Sequence, residues 1–173
     1  MAHPRKLIRD AVVQLLAAGA TAAGSRVWPG RYRRLSPQEL PALLVYCRQD
    51  EAGRRIADAP RLYGRELRLV VAAVVAGTGA LDDQLDDLAR EVEVLLENNE
   101  TLGGLCLDLV YAGTRLEVDA DVDPPVGQAE IEWLVTYEDD LKTPVADDFL
   151  EADVTWNIPG TPDTEEAQDT IQL

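Results

Sequence analysis

Apolar residues at Leu7, Ile8, Ala11, Val12, Leu15 and Leu16 recur at i and i+4 and form one stripe, which predicts an amphipathic helix. Pro4 suits its first turn and Gly19 its end. Val27-Trp28 reads as a short strand stopped by Pro29-Gly30. Pro37 and Pro41 bracket a connector, after which Ala42 to Cys47 is a continuous apolar run with the character of a buried strand. Gln49 to Pro60 is polar and basic, and it is expected to be an exposed hairpin loop. Arg61 to Ala76 alternates, with Tyr63, Leu67, Leu69, Val71, Ala73 and Val75 in register for one face. It is expected to pair back on the preceding strand as an antiparallel hairpin.

Gly77-Thr78-Gly79 breaks that strand, and the period changes back to a helical one as far as Asn98. Leu81, Leu85, Leu88, Val92, Leu95 and Leu96 form the apolar stripe of this second helix. Asp82, Asp83, Asp86 and Asp87 fall in its opening turns, where the helix dipole favours anions. After Gly103-Gly104 come two strands, Leu105 to Val118 with a bend at Gly113, and Gly127 to Glu138. The order α-β-β-β-α-β-β predicts an α+β fold: a single mixed or antiparallel sheet of about four to five strands with two helices packed on it.

From Asp139 the core periodicity fails. Asp139 to Leu173 holds 10 Asp/Glu, one Lys and three prolines, which reads as an extended acidic arm. The chain is therefore divided into a compact domain, 1–140, and an arm, 141–173. Val154, Trp156 and Ile158 alternate within Phe149 to Ile158, so this part of the arm is expected to be a docking strand, with Trp156 as its anchor.

At 173 residues and 46% hydrophobic content the chain is large and apolar enough for one real core. No apolar run reaches the roughly 18–20 residues needed to cross a bilayer. The charged start, Met1 to Arg9, has no signal-peptide core after it, so nothing argues for export. Cys47 and Cys106 lack metal-type spacing and are expected to be reduced core thiols. A single histidine, His3, leaves little room for His-based catalysis. The net charge of −16 argues against a simple duplex-DNA binder.

How the charge is distributed matters more than its sum. Met1 to Ala76 carries 13 Lys/Arg against 6 Asp/Glu, a balance of +7, whereas Gly77 to Leu173 carries 3 against 26, a balance of −23. Such a split implies polarised surfaces, an acidic tail, or both.

Individual candidate sites are weak. Asp119, Asp121 and Asp123 have the spacing that opens a calcium loop, with Glu130 at the twelfth position, but Pro124 stands where glycine is needed and the flanks read as strands. An acidic turn is the simpler reading. The Asp82/Asp83/Asp86/Asp87 cluster has magnesium-compatible spacing and equally the composition of a solvated helix face. Gly77-Thr78-Gly79 lacks the Lys-Ser/Thr of a phosphate-binding loop. Arg31, Tyr32, Arg33 and Arg34 make a basic and aromatic cluster suited to a carboxylate or a nucleic acid. No nucleophile stands beside a recognisable base, so no enzyme activity and no cofactor are expected.

The order of these segments resembles the tail terminator family of long-tailed, non-contractile phages, the lambda-type minor tail protein U and its relatives. The resemblance rests on Ile8-Arg9-Asp10-Ala11-Val12-Val13, Val27-Trp28-Pro29-Gly30-Arg31 and Leu40-Pro41-Ala42-Leu43-Leu44-Val45-Tyr46. It continues through the strand Glu66 to Val75, the acidic helix Leu81 to Leu96 and Trp133-Leu134-Val135-Thr136-Tyr137-Glu138, covering Pro4 to Asp140. It implies a structural virion protein that caps the head-proximal end of the tail tube as a hexameric ring, assembled in the host cytoplasm. The ring ends tube polymerisation and presents the surface for head–tail joining. The implied partners are further copies of the chain, the tail tube protein and a head-completion or connector protein. DNA passes through the lumen without specific binding, and no membrane is involved. The arm after Asp140 departs from the family's compact domain. Two other readings stand beside this one: another head–tail joining or head-completion protein, and a small metal-dependent hydrolase using the aspartate clusters. On the terminator reading, Arg31, Arg33 and Arg34 are expected to face carboxylates of a neighbouring copy. Arg54 and Arg55 in the expected loop, and Trp156 in the arm, complete the candidate interface.

Overall fold

The computed structural model describes residues 2–31, 33–58, 61–140, 151–155 and 168–172. It separates into two compact units, Met1–Leu141 and Lys142–Leu173. The first is α+β: α1 (Pro4–Ala18), β1 (Val27–Pro29), a single 3-10 turn (Pro37–Glu39), β2 (Ala42–Asp58), β3 (Arg61–Ala76), α2 (Leu81–Glu97), β4 (Asp108–Asp119) and β5 (Val126–Asp140). The strands form one mixed sheet in the order β1-β2-β3-β5-β4. β1 runs parallel to β2; every other pairing is antiparallel. Of the second unit, two strands are described, β6 (Glu151–Thr155) and β7 (Gln168–Gln172), paired antiparallel. β6 falls within the segment expected to be a strand; β7 was not expected from the residue pattern. Trp156 lies outside the described residues.

α1 forms because Ile8, Val12 and Leu16 stack at i+4 and are fully buried, while the His3 ring accepts a hydrogen bond from the Arg5 N–H at 3.2 Å and Pro4 occupies the first turn. α2 buries Leu81, Leu85, Leu88, Ala89, Val92 and Leu96 against the same face of the sheet. That face presents Leu43 and Val45 of β2, the odd-numbered residues Leu67 to Val75 of β3, and Ala129, Ile131, Trp133 and Val135 of β5. Trp133 is at its centre, fully buried, with Tyr111 of β4 edge-on at 5.5 Å. On the opposite face a smaller cluster forms from Leu44, Ala72 and Val74, covered by Trp28, Leu35, Leu40 and Tyr46.

The expected loop Gln49 to Pro60 is a correction. β2 continues through it to Asp58 and pairs with β3 as far as Asp58↔Arg61. The physical cause is β3, which is held along its whole length by β5, from Ala76↔Val126 to Leu62↔Asp140, and so offers β2 a complete ladder whatever its side chains. A bulge lies between Cys47 and Gln49, with Arg48 the extra residue, and it reverses the facing of Gln49 to Ala52; two further register shifts, between Ala52 and Arg55 and between Arg55 and Ala57, change it again. Beyond it Asp50 pairs with Leu67 and turns toward the face that the helices cover. The sequence-expected bend in β4 is likewise a bulge, between Tyr111 and Gly113.

Candidate functional site

Sheet order converts the charge split of the sequence into a split in space. α1 lies over β1 and β2 at one side of the sheet, and α2 over β3, β5 and β4 at the other. Arg5, Lys6 and Arg9 of α1, and Arg26 to Arg34 around β1, are thereby on one flank. Asp82, Asp83, Asp86 and Asp87 of α2, all exposed, and Glu117 and Asp119 of β4 are on the other.

The two flanks also end in open strand edges. β4 is the last strand, and among the described residues nothing pairs with its outer side. Its twelve residues include Leu116 and Val118 on one face and Val110 on the other, each 41–49% exposed, and Leu107 and Val122 on either side of the strand are exposed as well. At the other flank β1 covers β2 only from Leu43 to Val45. From Cys47 to Asp58 the outer side of β2 carries no strand among the described residues, and Arg54, Arg55 and Ile56 are exposed along it.

The arginines proposed from the sequence have different fates. Arg31 is used within its own subunit: its guanidinium donates to Glu39 Oε1 at 2.7 Å and lies 4.8 Å over the Trp28 ring, and its carbonyl accepts from the Tyr46 hydroxyl at 2.9 Å. Glu39 also accepts from the Ser36 N–H at 2.8 Å and from the Ser36 hydroxyl at 2.9 Å. The Ser36 backbone bond first, and Arg31 next, hold its carboxyl down at about 2. Arg33, 80% exposed, reaches the same Glu39 at only 3.6 Å, and Arg34 is exposed. Arg54 is exposed, and Arg55 pairs with Asp58 at 2.7 Å on the strand overhang. Arg33 and Arg34 thus share the basic flank with the β2 edge that carries Arg54 and Arg55. Arg31 belongs to the fold beneath them.

At the root of the overhang sits a polar network that has no signature in the linear pattern. The Asp50 carboxylate, 2% exposed, accepts from Arg65 at 2.8 and 3.1 Å and from the Tyr137 hydroxyl at 3.1 Å, with Arg5 at 3.5 Å. Asp139 approaches Arg65 at 3.8 Å. Burial, followed by the Asp50 charge, pushes Tyr137 up to about 12. This network fastens β2, β3 and β5 to the first turn of α1.

The remaining candidates carry less. Asp119 Oδ1 accepts from the Asp121 N–H at 3.1 Å, which is an acidic turn. Among the described residues no three His, Cys, Asp or Glu side chains converge as a metal site. Cys106 is buried and Cys47 half-buried, both unbridged; burial raises both thiols, Cys106 to about 11. No described helix is long and apolar enough to cross a membrane. No protein-family model matches the chain, and no curated protein matches it either.

Proposed function

We propose that this protein is a structural component of a long-tailed phage virion, a tail terminator that closes the head-proximal end of the tail tube as a ring of identical subunits. The observation that carries the reading is the open α+β sheet with two unlike flanks, one basic and one acidic and apolar, each ending in a free strand edge. A subunit of that kind suits a head-to-tail contact, in which one surface meets a different surface of the next copy and a fixed rotation closes the set. The element order and the segments from Pro4 to Asp140 that resemble the terminator family support assigning such a ring to the tube, beneath the head. The surplus of acid, −16 per chain, gives such a ring a negative field that lets DNA pass its lumen without adhering. On this reading the chain beyond Asp140 is the part that engages the tube protein or a head-completion protein.

The test is electron microscopy of tails assembled in a host with this gene disrupted. Tubes that grow beyond their normal length support the terminator. Tubes of normal length that lack heads transfer the role to a head-completion protein, and normal-length tails joined to heads refute both.

A further inference from the structure

We propose that the two flanks are the halves of one interface between copies of this chain: the β4–α2 flank of one copy receives the β1–β2 flank of the next, with β4 set against the open edge of β2. The inference rests on the ring reading only for the closing of copies into a circle. Three observations carry it.

The first is the nature of β4. Natural edge strands are kept short, or carry Lys, Pro or inward charge that blocks pairing. β4 is twelve residues long, and although it carries a bulge at Gly113 and the charges of Arg115 and Glu117, it contains no Pro or Lys and leaves Leu116 and Val118 on one face and Val110 on the other half exposed. An edge of this kind needs a cover.

Charge identifies the cover. The exposed acids of α2 and the carboxylates Glu117 and Asp119 surround β4, offset only by Arg90 and Arg115. A partner must bring positive charge beside an open strand edge. The chain's own opposite flank has both, with Arg33 and Arg34 exposed after β1 and Arg54 and Arg55 exposed on β2 beside Glu51 and Asp58. It also sets α1, with Arg5, Lys6 and Arg9, on the same face of the sheet as α2. A neighbour that continues the sheet therefore continues the helical layer too, and places basic α1 alongside acidic α2.

The third is strand direction. β2, β3, β5 and β4 alternate in sense, so β2 and β4 of one chain run antiparallel. A copy in the same orientation, displaced sideways and along the strands until its Cys47–Asp58 stretch, which lies clear of β1, stands beside β4, therefore presents its β2 edge antiparallel to β4, which is the stronger ladder geometry.

The test uses the full chain and sedimentation velocity at low and high salt. One variant breaks the β4 edge (Leu116→Lys with Val118→Lys). A second reverses the basic flank (Arg33→Glu, Arg34→Glu and Arg54→Glu) and spares Arg31, which the fold needs. Circular dichroism checks that both are folded. The parent is expected to associate at low salt, at least about tenfold more weakly once the Debye length is shortened to about 3 Å. Each variant alone is expected to stay monomeric. An equal mixture of the two should form dimers and stop there, because one intact interface remains and neither free end can extend. If the basic-flank variant associates like the parent, β4 is covered by another surface and the proposal is wrong. A parent that stays monomeric at every salt, or variants that both assemble normally, also overturns it. Tube capping is a separate measurement. The dimer-only mixture stands even if tails grown without this chain keep their length, and capping by a chain that fails the mixing test keeps the terminator while removing this interface.

Discussion

Removing Asp50 should damage the fold more than removing any other carboxylate of the first unit, because its charge is almost fully covered. In Asp50→Ala the Arg65 guanidinium, only 15% exposed, loses both its close contacts at 2.8 and 3.1 Å and retains Asp139 at 3.8 Å. The Tyr137 hydroxyl loses its acceptor. Breaking a buried ion pair by removing one partner costs about 3–5 kcal/mol. Asp139 partly compensates Arg65, and Arg5, nearly half exposed, turns to water, so the loss should fall near the lower end, about 3 kcal/mol. For a domain of this size that lowers Tm by roughly 6–12 °C. Asp50→Asn keeps an acceptor for Tyr137 and should lose less, about 1–2 kcal/mol. The double variant Asp50→Ala with Arg65→Met should cost well under the sum of the singles, with a coupling of about 1–3 kcal/mol. Urea unfolding followed by tryptophan fluorescence, with Trp133 as the buried reporter, measures all four. An Asp50→Ala loss below about 1 kcal/mol, or strict additivity in the cycle, would refute the claim that this network fastens the overhang.

Three further outcomes rest on local geometry elsewhere in the first unit. Folding lowers the Glu39 carboxyl from 4.5 to about 2, so its ionised form favours the fold; that contribution is complete above 4.5 and disappears as pH falls toward 2. The Tm difference between parent and Glu39→Gln should accordingly shrink across that interval, and a difference constant with pH would contradict the assignment. Folding raises Tyr137 from 10 to about 12, so its neutral form favours the fold, and that share of stability is lost as pH rises from 10 through 12. Near-ultraviolet absorbance should show a late tyrosine ionisation, and Tyr137→Phe should abolish that phase. A methyl group on Gly127 would lie 2.9 Å from Cδ1 of fully buried Leu85, and one on Gly19 would lie 2.4 Å from Cδ1 of half-buried Leu95. Gly127→Ala should therefore cost about 1–3 kcal/mol and Gly19→Ala less, since Leu95 has room to swing; the reverse ranking in urea melts would show that the α1–α2 contact is the tighter one.

Periodicity recovered both helices and the core strands because each buries one regular face: Ile8, Val12 and Leu16 in α1, and the alternating residues of β3 and β5. It failed at Gln49 to Asp58, where the strand is dictated by its partner β3 and the side chains are mostly solvated. The bulge at Arg48 compounded the failure, since a strand that changes its facing midway shows no constant period of two. Asp50 looked like one acid among several for the same reason; only the reversal turns it toward Arg65 and Tyr137. The basic cluster at Arg31 to Arg34 was visible as composition, but the inward turn of Arg31 depends on Glu39 and Trp28, which a linear reading does not join to it. β4 was legible as a strand with a bend at Gly113, yet nothing in the pattern says that it stands last in the sheet.

That position also makes the proposed interface separable from folding. β3 is paired on both sides and contributes Leu67, Leu69, Val71, Ala73 and Val75 to the core, so the stability of the unit is concentrated in the middle of the sheet. On β4 the residues that reach the core are at its start: Leu109 is buried and Tyr111 rests edge-on against Trp133. Leu116 and Val118 pair with Ala129 and Gly127, two small residues, and keep much of their surface in water. Replacing them removes little buried area, and a substitution of that kind at a largely solvated site usually shifts stability by about 0.5 kcal/mol or less. Arg33, Arg34 and Arg54 are likewise exposed, Arg33 to 80%. An edge that contributed to the core could not be altered without weakening the subunit, and assembly defects would then be confounded with unfolding. Here the sheet is stabilised from its centre, and both flanks can be changed while the subunit stays folded.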